Sequence, residues 1–395
     1  MKRFFTIICA VAAIAASAAC SKFSEAENVA EVSEGKLVPV TLRAELPASA
    51  SVETRDLTAY TDMLDYEKAI NSIQYLVYND IANGVVECEP QPISYYKATS
   101  LSDTPTFILR DDKKYVILAY ANIEQDLSSL EWSWNYNSEF YYTITGNEKT
   151  TGFPMSGIAG ASKPSTSNGV FPTSVSIKLQ HRMCRAAVGY IKNNLPAALG
   201  DLKIKGMFLM NVPSMLMASG SKTGFYVHNY PGVISYNTFG RSATSEQFSD
   251  KDDTSNEYYS HIIDGSTYLP LLPDLTYKAL DITIANGDTH TFTTPDVLYT
   301  APNSGNFGVL NAYNPSLVLM AEIQGKIQYY VISFDSSTIG PDNYSLMYPG
   351  KSVTLGINLS GYGSTDPTKA PPTTASTTVN ISSIADWTNY TNECS

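Results

Sequence analysis

The sequence has little of what catalytic chemistry is usually built from. Its 395 residues include only four histidines, His181, His228, His261 and His290. None stands at metal-ligand spacing from another. The chain has no Gly-x-Ser-x-Gly nucleophile elbow, no Gly-x-x-x-x-Gly-Lys phosphate loop and no Gly-x-Gly-x-x-Gly turn. Carboxylates are plentiful but form no distinctive pair. Cysteine is scarce, at five residues, and no Cys-x-x-Cys occurs, so neither a structural zinc nor a redox motif is indicated. Cys9 and Cys20 belong to the leader. Cys88, Cys184 and Cys394 remain, enough for at most one disulfide within the chain. Charged residues make up 16%, with acidic ones in excess, for a formal net charge of −12. That sign disfavours nucleic acid, and adhesion to anionic lipid by charge alone. No stretch after residue 20 is long and apolar enough to cross a bilayer as a helix. No helical repeat or long heptad is present. An enzyme and a bound cofactor are therefore not expected.

What the chain does have is the material of β-sheets. There are 27 tyrosines, and apolar residues total 43%, with Thr and Ser frequent, a balance that favours strands. The length predicts two domains. Short strands are expected at Ile73–Tyr78, Ile93–Lys97, Thr106–Leu109, Tyr115–Ala121 and Phe140–Ile144. After a Gly/Ser/Thr/Pro-rich stretch from Gly160 to Ser174, the series resumes. Strands are expected at Val175–Leu179, Ala186–Ile191, Leu202–Leu209, Ala279–Ile284, His290–Thr293, Leu317–Ile323, Gln328–Phe334 and Ser352–Leu359. Lys113-Lys114 and Gly325-Lys326 read as turns. Val353, Leu355, Ile357 and Leu359 alternate cleanly, as one buried sheet face requires. Many short strands with polar turns predict β-sandwiches. Residues 56–72 read as a short helix or irregular entry. Asp250, Asp252, Asp253 and Glu257 could hold calcium but lack the EF-hand glycine, so a solvated loop is expected. Trp132 and Trp134 alternate with polar residues. Exposed, they could stack on a sugar, and they are the support for reading the chain as a glycan-binding surface module.

The first residues have the pattern of a secretory signal. Lys2 and Arg3 precede an apolar core, Phe4–Ala16, and Ser17-Ala18-Ala19-Cys20 follows. A Cys directly after small residues is similar to the lipobox of bacterial lipoproteins, with Ser17 where Leu is usual. Cys20 is then the acylated residue, an anchor and not a span. The Glu-rich residues 21–35 read as a tether.

Lys36 to Arg55 combines a strand with an exposed loop. Val38, Val40, Leu42 and Ala44 fall on one side of an extended run, and Pro39 points to an edge position. The polar loop ends at Arg55, where a trypsin-like protease could cut before Asp56 and free the strand. Burying three large side chains there is worth about 5–9 kcal/mol, against a typical domain stability of about 5–15 kcal/mol. The opposite end has a matching logic. Gly361 to Thr378 is a Gly/Ser/Thr/Pro-rich linker. Val379 and Ile381 then alternate, and Ser382-Ser383 shifts the phase to Ile384 and Trp387. This segment reads either as an ordinary final strand or as one able to reach into a neighbour.

Taken in order, Cys20, the strand before Arg55, Phe153-Pro154-Met155-Ser156-Gly157, Leu179…Arg182…Arg185-Ala186-Ala187-Val188 and Asn211-Val212-Pro213 resemble the fimbrillins, fimbrial subunits of Bacteroidales bacteria. The resemblance runs over most of residues 20–395. It implies an all-β fold of two transthyretin-like sandwiches in tandem. The implied organisation is a signal peptide (1–19), a lipidated propeptide with the first strand (20–55), an N-terminal sandwich (56–165, with its first strand from 36–44), a C-terminal sandwich (173–360), and a linker with a donor strand (361–395). It also implies an outer-membrane lipoprotein precursor cut by an arginine-specific protease at Arg55. The emptied groove would then accept the Val379, Ile381, Ile384 and Trp387 segment of another subunit. Expected partners are other copies, related fimbrial subunits and a host or bacterial surface receptor, with the membrane contacted through the precursor's lipid alone. Stalk, tip and anchor roles stay open.

Overall fold

The computed structural model describes residues 35–46, 63–80, 91–131, 141–165, 169–210, 215–217, 273–300, 316–333, 350–365 and 377–386. Residues 1–34 lie outside these ranges. The described residues are nearly all β.

A three-stranded sheet carries β1 (Leu37–Glu45), β4 (Thr106–Arg110) and β8 (Ser174–Lys178) in the order β4-β1-β8. It shares a core with a five-stranded sheet ordered β3-β2-β5-β7-β9. The members of that sheet are β2 (Ile73–Asp80), β3 (Ser94–Ala98), β5 (Lys114–Ala121), β7 (Met155–Ala161) and β9 (Gln180–His181). A second sandwich pairs the sheets β14-β10-β17-β18 and β13-β11-β15-β16 around Leu202, Leu319, Leu355 and Ile357. The first of these holds β10 (Cys184–Asn193), β14 (Thr289–Thr300), β17 (Lys351–Leu359) and β18 (Thr377–Asp386). The second holds β11 (Leu202–Met210), β13 (Tyr277–Ile284), β15 (Ser316–Ile323) and β16 (Lys326–Ser333). A two-stranded ribbon of β6 (Tyr141–Thr143) and β12 (Met215–Met217) completes the strands.

A third core explains why β2 and β5 read as unbroken apolar runs. Leu76, Tyr78, Val116, Leu118 and Tyr120 pack with Ala187, Val297 and Tyr299 of the second sandwich. Ile73, Tyr75, Val77, Ile117 and Ala119 pack the other way, onto the three-stranded sheet. β2 and β5 are therefore buried on both faces, and such strands lose the polar half of the alternation. The one polar residue in the middle of β2, Gln74, is fully partnered. Its Nε2 donates to the Ile123 and Gln125 carbonyls at 2.8 Å each, and its Oε1 accepts from Tyr95 and the Leu127 amide.

Two expectations need correction. First, β1 is not an edge strand, because it lies between β4 and β8. Pro39 is tolerated because the two neighbours are staggered. β4 pairs with Leu37–Thr41, while β8 begins only at Thr41. The Thr41 amide points to the β8 side, donating to the Thr173 carbonyl at 2.9 Å. Two residues back, the missing Pro39 donor therefore faces a gap before β8 starts. Second, Val175–Leu179 does not open the second sandwich. Val175, Ile177 and Leu179 fill the first core, and β9 pairs with β7. The sheets change over between His181 and Cys184, later than the expected 165–173 break. As expected of a short helix or irregular entry, residues 56–72 contribute a single 3-10 turn, Asp65–Glu67, among their described part. The tight turn after β15 is as expected: Gln324 and Gly325 both take positive φ, 49° and 75°, the geometry of a two-residue hairpin.

Candidate functional site

The site is the slot that β1 occupies. Val40 and Leu42 have no exposed surface, and Ala44 has 4%. Val38 is only half-buried. The burial term is thus carried by two large side chains, not three, at about 3–6 kcal/mol. Around them stand Tyr75, Ile117, Met155, Phe171 and Ile177. On one wall, β4 runs antiparallel from Leu37↔Arg110 to Thr41↔Thr106. On the other, β8 runs parallel from Thr41↔Ser174 to Glu45↔Lys178. Neither β4 nor β8 pairs with any other strand among the described residues.

Polar contacts fix the register at both ends. The Lys36 amide donates to Asp111 Oδ1 at 2.7 Å, and the Asp111 amide returns a bond to the Lys36 carbonyl at 2.9 Å. At the far end, Ser176 Oγ donates to Glu45 Oε1 at 2.7 Å, and the Leu179 amide donates to the Glu45 carbonyl. In between, the Ala44 amide donates to Tyr75 Oη at 3.2 Å. Burial pushes the Tyr75 hydroxyl above its ordinary range, with the Ala44 bond acting the other way. The small residue at 44 leaves room for that phenol. Gly157, in β7, sets the floor under β8. A Cβ there would stand 2.5 Å from the Lys178 carbonyl oxygen and 2.8 Å from Ile177 Cγ2. Only glycine lets the two backbones approach this closely.

The last strand, β18, pairs antiparallel with β17 and ends its sheet. Val379, Ile381 and Ile384 stand opposite Ile357, Leu355 and Val353, all core residues. Directly paired residues share a sheet face, so the register places these three positions on the face of Ile357, Leu355 and Val353. The register slips between Thr354 and Leu355, leaving Ser382 without a cross-strand partner. This is the phase shift expected from the Ser pair, realised as a β-bulge.

Of the other predicted site residues, Cys20, Arg55, Asp56 and Trp387 lie outside the described residues, as do Trp132, Trp134, Cys88, Cys394, Asn211–Pro213 and the acidic group Asp250, Asp252, Asp253 and Glu257. His181 is fully buried, its ring edge-on to Phe153. Burial pushes its pKa down to about 3, with the Arg185 charge adding to the effect. Cys184 is buried too, and its thiol is raised for the same reason. Among the described residues, no group of three or more His, Cys, Asp or Glu is placed to hold a metal.

Sequence reasoning missed one cluster. Glu67, in the 3-10 turn, is completely buried and receives Arg185 Nη1 at 2.9 and 3.1 Å. Arg185 Nε donates to Ser352 Oγ at 2.8 Å. The Tyr299 hydroxyl also donates to Glu67, which raises the Tyr299 pKa further beyond what burial does. The Leu64 amide completes the set at 2.7 Å. This network ties the segment that follows Arg55 to β10, β14 and β17. Arg185 stood out within the Arg182…Arg185 pattern. Glu67 gave no signal, since its partner is 118 residues away.

No protein-family model matches the chain. No curated protein sequence matches it either. Solved structures do match it. A candidate cell adhesion protein from Bacteroides eggerthii DSM 20697 superposes with a TM-score of 0.52 at 16% identity, over 90% of this chain and 97% of that one. One from Parabacteroides distasonis ATCC 8503 gives 0.53 at 13% identity, over 90% and 98%. A fimbrilin from Porphyromonas gingivalis W83 gives 0.52 at 11% identity, over 87% and 95%. The chain therefore has the tandem β-sandwich fold of these fimbrial and adhesion proteins.

Proposed function

We propose that the protein is a structural fimbrial subunit that polymerises on the cell surface after losing its first strand. The precursor is exported, acylated at Cys20 and held at the outer membrane. An arginine-specific protease cuts after Arg55, leaving Asp56 as the new N-terminus. Residues up to 55 depart with β1, and a C-terminal segment from another copy, containing Val379, Ile381, Ile384 and Trp387, enters the slot. The resulting fibre serves adhesion to a host or bacterial surface.

One observation carries this reading. β1 is the central strand of a sheet whose other two members pair with no other strand among the described residues. Removing it divides that sheet into two single strands and uncovers a long apolar trench. Unpaired strand edges of this kind bind another strand readily. A head-to-tail contact of this type has no closure and so can extend indefinitely. The fold shared with fimbrial proteins supports the same reading.

Purified precursor treated with an arginine-specific protease, then sequenced from its N-terminus and viewed by electron microscopy, tests it. Chains beginning at Asp56 and assembled into filaments are expected, with Arg55→Ala remaining monomeric. A cut chain that stays monomeric, or an Arg55→Ala protein that polymerises normally, sinks the proposal.

A further inference from the structure

The proposed exchange leaves open how β18 could serve two places: its own sheet and a neighbour's slot. The two places demand different side-chain patterns. In its own sheet, Val379, Ile381 and Ile384 stand in register with Ile357, Leu355 and Val353, a spacing that only the bulge at Ser382 permits. The slot instead has a strict period of two, set by Val38, Val40, Leu42 and Ala44, with no register shift against either wall.

Read without its bulge, the tail supplies that second pattern. Laid in the same direction as β1, Thr377, Val379, Ile381 and Ser383 fall at the positions of Val38, Val40, Leu42 and Ala44. Each pair is close in volume, the condition under which a packed core tolerates replacement. The extra hydroxyl of Thr377 falls at the half-buried position, where water reaches it. Ser383 falls at the place of Ala44, a small and buried residue whose amide bonds the Tyr75 hydroxyl. The intervening Thr378, Asn380 and Ser382 are polar and fall on the outer face. A two-residue shift one way puts Ser383 at the Leu42 position and leaves a cavity. The opposite shift puts Ile381 at the Ala44 position and overpacks it.

We infer that the Ser382-Ser383 pair is a two-state adaptor. Bulged, it holds β18 against β17 of its own subunit through Ile384; straight, it seats the strand in a second copy's slot with Ser383 in the place of Ala44. Pairing with β17 thereby competes with donation and keeps subunits from linking early. This rests on the proposed exchange and adds its register and its restraint.

Two full-length variants separate the states. Deleting Ser382 makes the pairing with β17 continuous but moves Ile384 to the Ala44 position of the slot. Ile384→Ser weakens the hold on β17, while in the slot that position faces outward. Each precursor is checked by circular dichroism and urea titration, cut after Arg55, and followed by light scattering and electron microscopy. The Ser382 deletion is expected to assemble about tenfold more slowly than wild type and Ile384→Ser about tenfold faster, the change that gain or loss of one buried aliphatic contact brings. Wild-type filaments with both variants at the wild-type rate overturn the adaptor and leave the proposed function standing. A cut wild-type protein that forms no filaments overturns both. Should the deletion disturb folding, the Ile384→Ser rate alone decides, an unchanged rate counting against the adaptor.

Discussion

The first and last described strands of this protein, β1 and β18, look alike in sequence and are held in different ways. β1 has a neighbour on each side, antiparallel β4 and parallel β8, and no irregularity in its register. β18 has one neighbour, β17, with a bulge halfway along. Both carry aliphatic residues at alternate positions. The lesson is that the damage done by losing a strand depends on what its neighbours have left. When β18 goes, β17 still pairs with β10. When β1 goes, β4 and β8 keep no strand partner among the described residues.

The sharpest test of that asymmetry is to remove each end in turn. Cutting after Arg55 and displacing the freed strand is expected to cost at least about 3–6 kcal/mol from Val40 and Leu42. It should also produce strong binding of a hydrophobic dye. A chain ending at Ser360 should lose less and bind little dye. Equal urea midpoints for the two shortened chains would erase the contrast.

Next in size is the joint that must hold once β1 has gone. Glu67→Ala leaves Arg185 as an uncompensated buried charge and should destabilise by about 3–5 kcal/mol in urea unfolding. The double change Glu67→Leu with Arg185→Met removes both charges and should recover much of that loss. A single variant as stable as wild type would mean that the network does not fasten the remaining N-terminal segment.

Point changes within the strands come third. Leu42→Ala in the uncut precursor should cost about 2–5 kcal/mol, as for a fully buried leucine. Ile381→Ala, in an edge strand, should cost less than Leu42→Ala in the same titration. The reverse order would break the comparison at the level of single residues.

The smallest effect expected is on pH dependence. His181 has a folded pKa of about 3, well below the ordinary histidine value. The unfolded chain therefore takes up a proton that the folded one refuses. Stability from this source is complete above about pH 6.5 and falls as the pH drops toward 3. Urea midpoints at pH 7 and pH 5 should differ in that direction for wild type and differ less for His181→Gln. Because His181 lies in β9, paired with β7, and not in either terminal strand, cutting after Arg55 should leave this slope in place.

Much of this was legible from residue order alone. β17, with Val353, Leu355, Ile357 and Leu359, is found where its alternation puts it, and β15 where the apolar run Leu317–Ile323 puts it. The Ser382-Ser383 phase shift was visible as a break in period and is a bulge in the fold. What stayed hidden depends on partners distant in sequence. Pro39 reads as an edge residue because sequence carries no information on where β8 begins. Val175–Leu179 reads as the start of a domain because the Gly/Pro-rich stretch before it looks like a linker, yet the chain crosses over and returns to the first core. Glu67 is an ordinary acidic residue until Arg185, Tyr299 and Ser352 are brought around it.

The slot's two walls have one further consequence. β4 and β8 run in opposite directions, and they overlap the first strand by halves, one wall guiding its beginning and the other its end. A chain laid in backwards would meet each wall with its ladder pattern reversed and its polar anchors misplaced. In the proposed exchange the slot would thus be a one-way keyhole. A fibre threaded through such keyholes has a distinguishable front and back, and can grow only by presenting the same end of each newcomer to the same end of the last.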